Sequence, residues 1–162
     1  MADKKNLLQP IKQWAKGGNA ASTLTYVNGD NYSCSWTASS EGDYIYVKLS
    51  SIAGKKLILK CDEFNSSDGQ GWINARAYTN DDDYTSVVDI QNASGPQEIE
   101  IDVGADVTNL RIYFRHYWAS GGIDPAATLT LTGALLYEDV QPESLTALNF
   151  HKVLKENLPA KV

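Results

Sequence analysis

The sequence predicts an all-β protein, an antiparallel β-sandwich of jelly-roll type. Nine tyrosines and four tryptophans against a single methionine favour strands, because aromatic side chains suit a pleated, half-buried surface. Roughly ten short segments alternate between apolar and polar residues, with Gly, Pro, Asn or Asp between them. No helical periodicity precedes residue 142, and regularly spaced short strands of this kind are typical of a sandwich.

The length of 162 residues predicts one domain, residues 1–140, followed by a short tail, residues 141–162. A hydrophobic content of 43% is sufficient for a packed core. In the tail, Pro142 can begin a helix and Pro159 can end it, with apolar residues near one side between them. We therefore expect a helical tail or linker after the sandwich.

Charge and hydropathy patterns exclude several partners. The net charge of −6 opposes a basic surface large enough for a nucleic-acid backbone, so no nucleic-acid partner is predicted. No apolar run approaches the roughly 18 residues that membrane insertion requires. The N-terminal segment has no apolar stretch of signal-peptide length, which predicts synthesis without a signal peptide. Cys34 and Cys61 are expected to be buried thiols, with a disulfide as the alternative.

The predicted strands follow one another with recognisable turns between them. Asn28-Gly29-Asp30-Asn31 predicts a hairpin between the second and third strands. Residues 80–83 are predicted to form an acidic hairpin turn; a calcium loop is the alternative, although the spaced pattern of an EF-hand is absent. Gly133 suggests a bulge in the last strand. The predicted strands are 6–8, 22–28, 32–37, 44–50, 55–62, 72–79, 84–91, 97–103, 108–118 and 127–137.

Two of these strands carry an unusual outward side. In residues 108–118 and 72–79, apolar side chains alternate with Trp, Tyr, Arg and Asn rather than with short polar residues. Trp and Tyr offer flat apolar faces to a sugar ring, and Arg and Asn offer several hydrogen bonds to its hydroxyl groups. Residues on one side of a strand recur about every 6.5–7 Å, on the scale of a sugar unit. The candidate saccharide-binding residues are Trp72, Asn74, Arg76, Tyr78, Arg111, Tyr113, Arg115 and Tyr117.

This hypothesis requires both strands to lie in one sheet, which the sequence does not establish. In the alternative interpretation, loops cover the aromatic residues, and the arginines pair with Glu98, Glu100 or nearby aspartates. A second candidate site lies at the ends of the strands and consists of Trp14, Tyr84 and Trp118.

The sequence offers little support for catalysis. His116 falls on the apolar side of its strand, where a structural role is the simpler explanation. The chain has no Ser-His-Asp order, zinc-ligand spacing or phosphate-binding glycine loop. A pair of glycosidase carboxylates is defined by its separation in space, which a sequence does not give. We therefore predict that the chain is not an enzyme and has no catalytic residue and no cofactor. A small secreted glycan hydrolase is kept as an alternative hypothesis.

The order of several short strings resembles a known family. They are Asn-Leu-Leu at 6–8, Asp-Tyr-Ile-Tyr-Val at 43–47, Ala-Arg-Ala-Tyr at 75–78, Gln-Glu-Ile-Glu-Ile at 97–101, Asn-Leu-Arg-Ile-Tyr at 109–113 and Leu-Leu-Tyr-Glu-Asp at 135–139. Over residues 6–140 this succession resembles the jelly-roll, carbohydrate-binding-module-like domains of bacteriophage tail, baseplate and receptor-binding proteins. Members often end in Leu-Glu-x-Gly, where this chain has Tyr137-Glu138-Asp139.

The resemblance implies a non-catalytic module that attaches a phage to cell-wall or surface polysaccharide of its host. It also implies a homo-oligomer that contacts other tail subunits and is located in the virion, after synthesis in the bacterial cytoplasm. The competing hypothesis is a structural virion component whose aromatic faces mediate subunit assembly. Related sandwiches often hold a structural calcium ion near their first and last strands, for which Glu138 and Asp139 are the candidate ligands.

Overall fold

Twelve β-strands make up most of the computed structural model, which describes residues 4–40, 43–117 and 126–140. A 3-10 helix covers Ile11–Gln13 and a one-turn α-helix, α1, covers Ala20–Thr23; within the described ranges neither could cross a membrane. The strands are β1 (Ala15–Lys16), β2 (Thr25–Tyr26), β3 (Cys34–Ala38), β4 (Ile45–Ser50), β5 (Lys56–Cys61), β6 (Glu63–Ser66), β7 (Gly71–Tyr78), β8 (Tyr84–Ala93), β9 (Gln97–Asp102), β10 (Asn109–His116), β11 (Ala127–Thr132) and β12 (Leu135–Glu138).

The strands form antiparallel sheets, so the predicted all-β, antiparallel class is confirmed. One sheet has five strands in the order β1-β4-β10-β7-β8. The others have the orders β2-β3-β11-β6 and β12-β5-β9. A backbone hydrogen bond of 2.9 Å from Asp62 N to Thr132 O joins these two sheets where β5 ends and β11 ends.

Aromatic rings fill the centre of the core. Phe64 of β6 meets Phe114 of β10 edge to face, with their ring centroids 5.1 Å apart, so the five-stranded sheet packs directly on the opposite layer. Trp14 stacks on Phe114 and Trp36 stacks on Phe64, at 5.9 Å and 6.5 Å between centroids. All four side chains are buried. Because alternate residues of β4, β7 and β10 are apolar, one side of the five-stranded sheet faces this core and the other side is left for different chemistry.

Gly133 divides what the sequence predicted as one final strand. The chain forms β11 before this glycine and β12 after it, and the two strands belong to different sheets. Gly133 has a φ of 62°, a backbone conformation that glycine adopts without the steric cost of a Cβ. The predicted bulge is therefore wrong; the glycine marks the point where the chain passes from one sheet to the next.

Three other local predictions are corrected. Residues 20–23 form α1, so β2 is only two residues long, although its predicted hairpin pairing with β3 is confirmed. Residues 6–8 are not a strand; instead the Asn6 side-chain oxygen accepts hydrogen bonds from the amides of Leu8 and Leu136. Residues 63–66 form β6, although no strand was predicted between residues 62 and 72. The predicted tail helix, residues 141–162, lies outside the described residues.

The acidic hairpin turn between β7 and β8 is confirmed. The side-chain oxygen of Asn80 accepts hydrogen bonds from the amides of Asp82 and Asp83, both at 2.9 Å. This local pattern accounts for the turn without a metal. In the parts of the chain that the structure describes, no group of three or more His, Cys, Asp or Glu side chains is placed to hold a metal ion, and Glu138 forms an ion pair with Lys55.

The cysteines and His116 lie as the sequence predicted. Cys34 and Cys61 are free and buried, and burial raises the pKa of their thiols to about 12 and about 11 respectively. His116 is buried on the core side of β10, where its Nε2 lies 2.6 Å from a carboxylate oxygen of Asp68. Neither thiol is therefore a ready nucleophile at neutral pH.

Gly71, the first residue of β7, leaves little room for a side chain, and we expect Gly71→Ala to lower the free energy of unfolding by about 1–3 kcal/mol. A Cβ at this position would lie 2.8 Å from the carbonyl oxygen of Ala93 and 3.0 Å from the Phe64 ring. Urea denaturation measures the loss. An unchanged midpoint would show that the β7–β8 edge adjusts to the added methyl group at no cost.

Candidate functional site

The two strands that carry the candidate residues are neighbours. β10 lies between β4 and β7 in the five-stranded sheet, and it is antiparallel to both. Across the β10–β7 pair, Arg111 lies opposite Arg76, and Tyr113 lies opposite Asn74. The structure thus meets the condition that the sequence left open, since the residues lie on one side of one sheet.

Cross-strand register extends this surface over four strands. Tyr113 also lies opposite Tyr46 of β4, and Asn74 lies opposite Asp89 of β8. We call this surface the outer face. Its described residues are Tyr44, Tyr46, Lys48, Ser50, Trp72, Asn74, Arg76, Tyr78, Tyr84, Ser86, Asp89, Gln91, Asn109, Arg111, Tyr113, Arg115 and Tyr117.

A β-bulge in β8 changes which residues of this strand lie on the outer face. Ala75 pairs with Val88, whereas the next residue, Arg76, pairs with Ser86, so Val87 has no direct partner on β7. The extra residue changes the alternation of β8 at this point. As a result, Tyr84 and Ser86 share the face with Asp89 and Gln91 even though their positions differ by an odd number.

Arginine side chains lie against aromatic rings across the outer face. The Arg111 guanidinium is 4.2 Å from the centroid of Tyr78, and the Arg76 guanidinium is 4.7 Å from Tyr84 and 5.0 Å from Tyr113. Each distance is within the range of a cation–π contact. The arginines and rings therefore hold one another in fixed positions.

The Trp72 end of the outer face is built in the same way. The Arg115 guanidinium is 4.5 Å from the Trp72 ring, and Tyr117 meets Trp72 edge to face with their centroids 5.4 Å apart. The Trp72 indole N–H donates a 2.7 Å hydrogen bond to the Asp89 carboxylate. Trp72 is therefore pre-oriented, and its partner Asp89 is the one carboxylate of the described outer face.

Mutual packing buries part of the predicted set. Asn74, Tyr78, Tyr113 and Arg115 were expected to be exposed, but each is at most 8% exposed. The reason is that neighbouring long side chains cover one another: Tyr113 alone contacts the rings of Tyr44 and Tyr46 as well as Arg76. The accessible part of the predicted set comprises half-buried Trp72, Arg76, Arg111 and Tyr117, and Tyr84, which is 48% exposed.

Two side chains in the middle of the outer face have shifted pKa values: Tyr113 stays neutral and Arg111 stays positively charged. Burial raises the pKa of the Tyr113 phenol, so this group remains protonated and can donate a hydrogen bond. For Arg111, burial alone would lower the pKa, but the hydrogen bond with Tyr113 and the nearby tyrosines outweigh it and raise the pKa. Arg111 is thus a permanent, half-buried cation on the outer face.

The second candidate site, at the strand ends, does not form as predicted. Trp14 is 3% exposed, stacks on Phe114 and donates its indole N–H to the Gln9 carbonyl, because its loop folds onto the core. Tyr84 belongs to the outer face, and Trp118 lies outside the described residues.

The expected arginine–glutamate pairing is also wrong for Glu98 and Glu100. Both are on β9, in the three-stranded sheet, and Glu98 forms an ion pair with Lys60.

Sequence reasoning omitted several outer-face residues. Tyr44, Tyr46 and Lys48 do alternate with core residues of β4, so their outward direction was readable from the period of two. What was missing was the pairing of β4 with β10, which is a contact between segments about sixty residues apart. Asp89 was hidden by the β8 bulge, and Asn109 is the first residue of its strand.

Similarity to known proteins is visible in the fold rather than in the sequence. No protein-family model matches the chain, and no curated protein matches it. Among solved structures, TmCBM61 in complex with β-1,4-galactotriose has a TM-score of 0.55 and 10% identity, over 83% of this chain and 99% of that one. A CBM4 structure has a TM-score of 0.52 and 13% identity, over 73% and 76%. The N-terminal cellulose-binding domain of the Cellulomonas fimi β-1,4-glucanase C has a TM-score of 0.50 and 15% identity, over 83% and 99%.

The chain shares the fold of these modules. Their printed names describe modules that bind carbohydrate, so the predicted carbohydrate-binding-module-like sandwich is confirmed at the level of architecture.

Proposed function

We propose that this chain is a non-catalytic carbohydrate-binding module that holds a polysaccharide on the outer face of its five-stranded sheet. The observation that carries the proposal is the cross-strand register, which gathers tyrosines, a tryptophan, arginines and asparagines from four strands on one surface. Adjacent strands are about 4.8 Å apart and same-side residues about 6.5–7 Å apart along a strand. Successive sugar units can therefore meet new aromatic and hydrogen-bonding groups.

The chemistry of the outer face favours binding over hydrolysis. Most glycosidases use two carboxyl groups on either side of the bond they cleave. Of the described outer-face residues only Asp89 carries a carboxylate, and it already accepts the Trp72 indole N–H. The fold similarity points the same way, because the neighbours are named as carbohydrate-binding modules and one is described with a bound galactotriose.

Replacing Trp72 or Tyr84 with alanine is expected to weaken polysaccharide binding at least tenfold, which corresponds to about 1.4 kcal/mol. Both side chains are accessible aromatic surfaces, of the kind that dominates binding energy when truncated. The measurement is binding to a glycan array that carries neutral and acidic saccharides, followed by calorimetry with the best ligand. Tyr26→Ala, which removes an exposed aromatic ring from β2 in another sheet, is the matched control.

If both variants bind as tightly as the unmodified protein while Tyr26→Ala does not, the site lies elsewhere on the sandwich. If the unmodified protein binds no saccharide and forms a defined oligomer that buries the outer face, the structural-subunit hypothesis replaces this one. Mass in solution is recorded on the same sample.

We further propose that the module acts in a phage tail or baseplate, as part of a homo-oligomer in the virion that contacts other tail subunits and attaches to host cell-surface polysaccharide. The support is the resemblance of the short strings in residues 6–140, together with a surface suited to saccharide. Saturable binding to whole bacterial cells, reversed by a soluble host polysaccharide, is the expected result. Failure to bind any bacterial surface would remove this setting and leave the carbohydrate-binding proposal in place.

A further inference from the structure

Three cations lie side by side across the outer face. Arg111 of β10 lies opposite Lys48 of β4 and opposite Arg76 of β7, so one positive side chain comes from each of three adjacent strands. We call this set the cationic row. With strands about 4.8 Å apart, the row spans about 10 Å. Like charges directly opposite one another destabilise a sheet, and the tyrosine rings beside the two arginines offset only part of that cost.

The rest of the chain makes the cationic row more unusual. The net charge is −6, yet the described outer face carries one carboxylate, that of Asp89. Asp89 accepts the Trp72 hydrogen bond and lies opposite Asn74, which is two residues from Arg76 along β7. Other acidic residues pair elsewhere, as Glu98 does with Lys60 and Glu138 does with Lys55. The positive charge is therefore concentrated on the surface that we propose for saccharide binding.

The geometry of the arginines suits an acid group. The Arg111 guanidinium lies against the Tyr78 ring and the Arg76 guanidinium lies against the Tyr84 and Tyr113 rings, so both cations are held in place, and both side chains are only half-buried and can be reached by a ligand. A carboxylate or phosphate accepts charge-assisted hydrogen bonds from a guanidinium group, and two parallel ones where the geometry allows.

The same packing limits stacking with a neutral ligand to fewer rings. Recognition of neutral sugars by stacking needs open aromatic faces, but Tyr78 and Tyr113 are each 5% exposed and lie against guanidinium groups. This leaves Trp72, Tyr84 and Tyr117 as the accessible rings of the predicted set on this face. A nucleic acid fits less well, because a chain of net charge −6 repels a dense phosphate backbone at long range.

We propose that the cationic row selects an anionic polysaccharide, one whose sugars carry carboxylate or phosphate groups, with Arg111, Arg76 and Lys48 contacting the acid groups. This inference rests on the carbohydrate-binding function proposed above and names the ligand class of the same face.

The test is calorimetric titration of the full chain with four probes, at 50 and 500 mM sodium chloride. The probes are an oligogalacturonate for carboxylate, a poly(glycerol phosphate) for phosphate, a neutral β-1,4-galacto-oligosaccharide, and a single-stranded oligothymidylate. We expect one of the two acidic polymers to bind more tightly than the neutral oligosaccharide and the oligothymidylate. Its affinity should fall at least tenfold at the higher salt, because salt screens exposed charges.

The variants Arg111→Gln and Arg76→Gln are each expected to lower affinity for the acidic polymer at least tenfold. Each variant removes a like-charge neighbour but also a guanidinium that packs on tyrosine rings, so melting temperatures are recorded to separate a loss of binding from a loss of folding. Lys48→Gln removes an exposed charge, tests the row even if an arginine variant unfolds, and should lower affinity several-fold. Lys60→Gln, on β5 in another sheet, is the charge-matched control and should bind as the unmodified protein does.

Three outcomes would overturn the inference. Equal binding of the neutral oligosaccharide, unaffected by salt or by the glutamine variants, would leave a carbohydrate-binding module that does not select acids. Oligothymidylate binding as tight as that of the acidic polymers would show that the row attracts any polyanion. Binding of no saccharide, acidic or neutral, on the probes and on the glycan array, would remove the proposed function together with the inference.

Discussion

Replacing Phe114 with alanine is expected to lower the free energy of unfolding by about 3–5 kcal/mol, the usual cost of removing a fully buried phenyl ring. Phe114 is completely buried and lies between two rings, with the Trp14 centroid at 5.9 Å and the Phe64 centroid at 5.1 Å. The substitution removes the ring contact between β10 and β6 and leaves a cavity that fixed strands on both sides are unable to close. For a domain stable by about 5–15 kcal/mol, this is a large fraction of the total.

Urea denaturation followed by tryptophan fluorescence measures the effect through the midpoint and the slope. Phe114→Leu fills most of the same space and should lose much less, while Tyr26→Ala, at an exposed ring, should stay within about 0.5 kcal/mol of the unmodified protein. A loss below about 1 kcal/mol for Phe114→Ala would mean that the core repacks around Phe64 and that the two layers do not depend on this ring pair.

The direction of the outer-face side chains could be predicted from the sequence, and their neighbours could not. The period of two in β4, β7 and β10 is a local property, which is why the outward positions of Arg111 and Arg76 were readable. Strand order depends on contacts far apart in sequence, and β10 pairs with one strand about sixty residues earlier. The cationic row exists only through that pairing, so no pattern within a single strand could reveal it.

Exposure was harder to predict than direction. A residue that points away from the core is normally exposed to solvent, and this rule holds for Lys48. It fails for Tyr113, because side chains long enough to lie flat on one another create a second layer of packing above the sheet. Trp14 is a second case: its predicted place at the strand ends suggested the surface, but an apolar ring of that size is more stable inside.

Gly133 explains why one strand was predicted where two exist. Residues 127–137 alternate almost without interruption, and alternation carries no information about which sheet a strand joins. The positive φ of Gly133 redirects the chain, so that β11 pairs with β3 and β6 while β12 pairs with β5. The sequence shows the glycine, but glycine is favoured both at a bulge and at a change of sheet, so its presence does not distinguish the two.

Asp43 should be the most sensitive polar position of the described chain, and Asp43→Asn is expected to lower the free energy of unfolding by about 3 kcal/mol at neutral pH. Its carboxylate accepts hydrogen bonds from the amides of Asn19, Ser39 and Ser40 at 2.6–2.9 Å, and it is 3% exposed. These bonds tie the start of α1 and the end of β3 to the start of β4. The asparagine side chain has only one acceptor oxygen, so its NH₂ group would face a backbone N–H, and two donors would meet without an acceptor.

The loss should depend on pH in a direction set by the pKa of Asp43. Burial alone would raise this pKa, but the hydrogen bonds from Asn19, Ser39 and Ser40 outweigh it and hold the pKa below its ordinary value of 3.8. A carboxyl group with a lowered pKa contributes its full stability above the unfolded pKa and loses it as the pH falls through the folded pKa. The stability difference between the unmodified protein and Asp43→Asn should thus be constant near neutral pH and shrink as the pH falls below about 4.

Thermal melts of both proteins across this pH range measure that difference directly. Other acidic groups, such as Asp30 and Asp68, also have a lowered pKa, but they are present in both proteins and cancel in the comparison. Asp81→Asn, at an exposed position of the β7–β8 turn, should show no such pH-dependent difference from the unmodified protein. A difference for Asp43→Asn that stays constant down to acidic pH would show that the charge of Asp43 contributes nothing and that only the shape of its side chain matters.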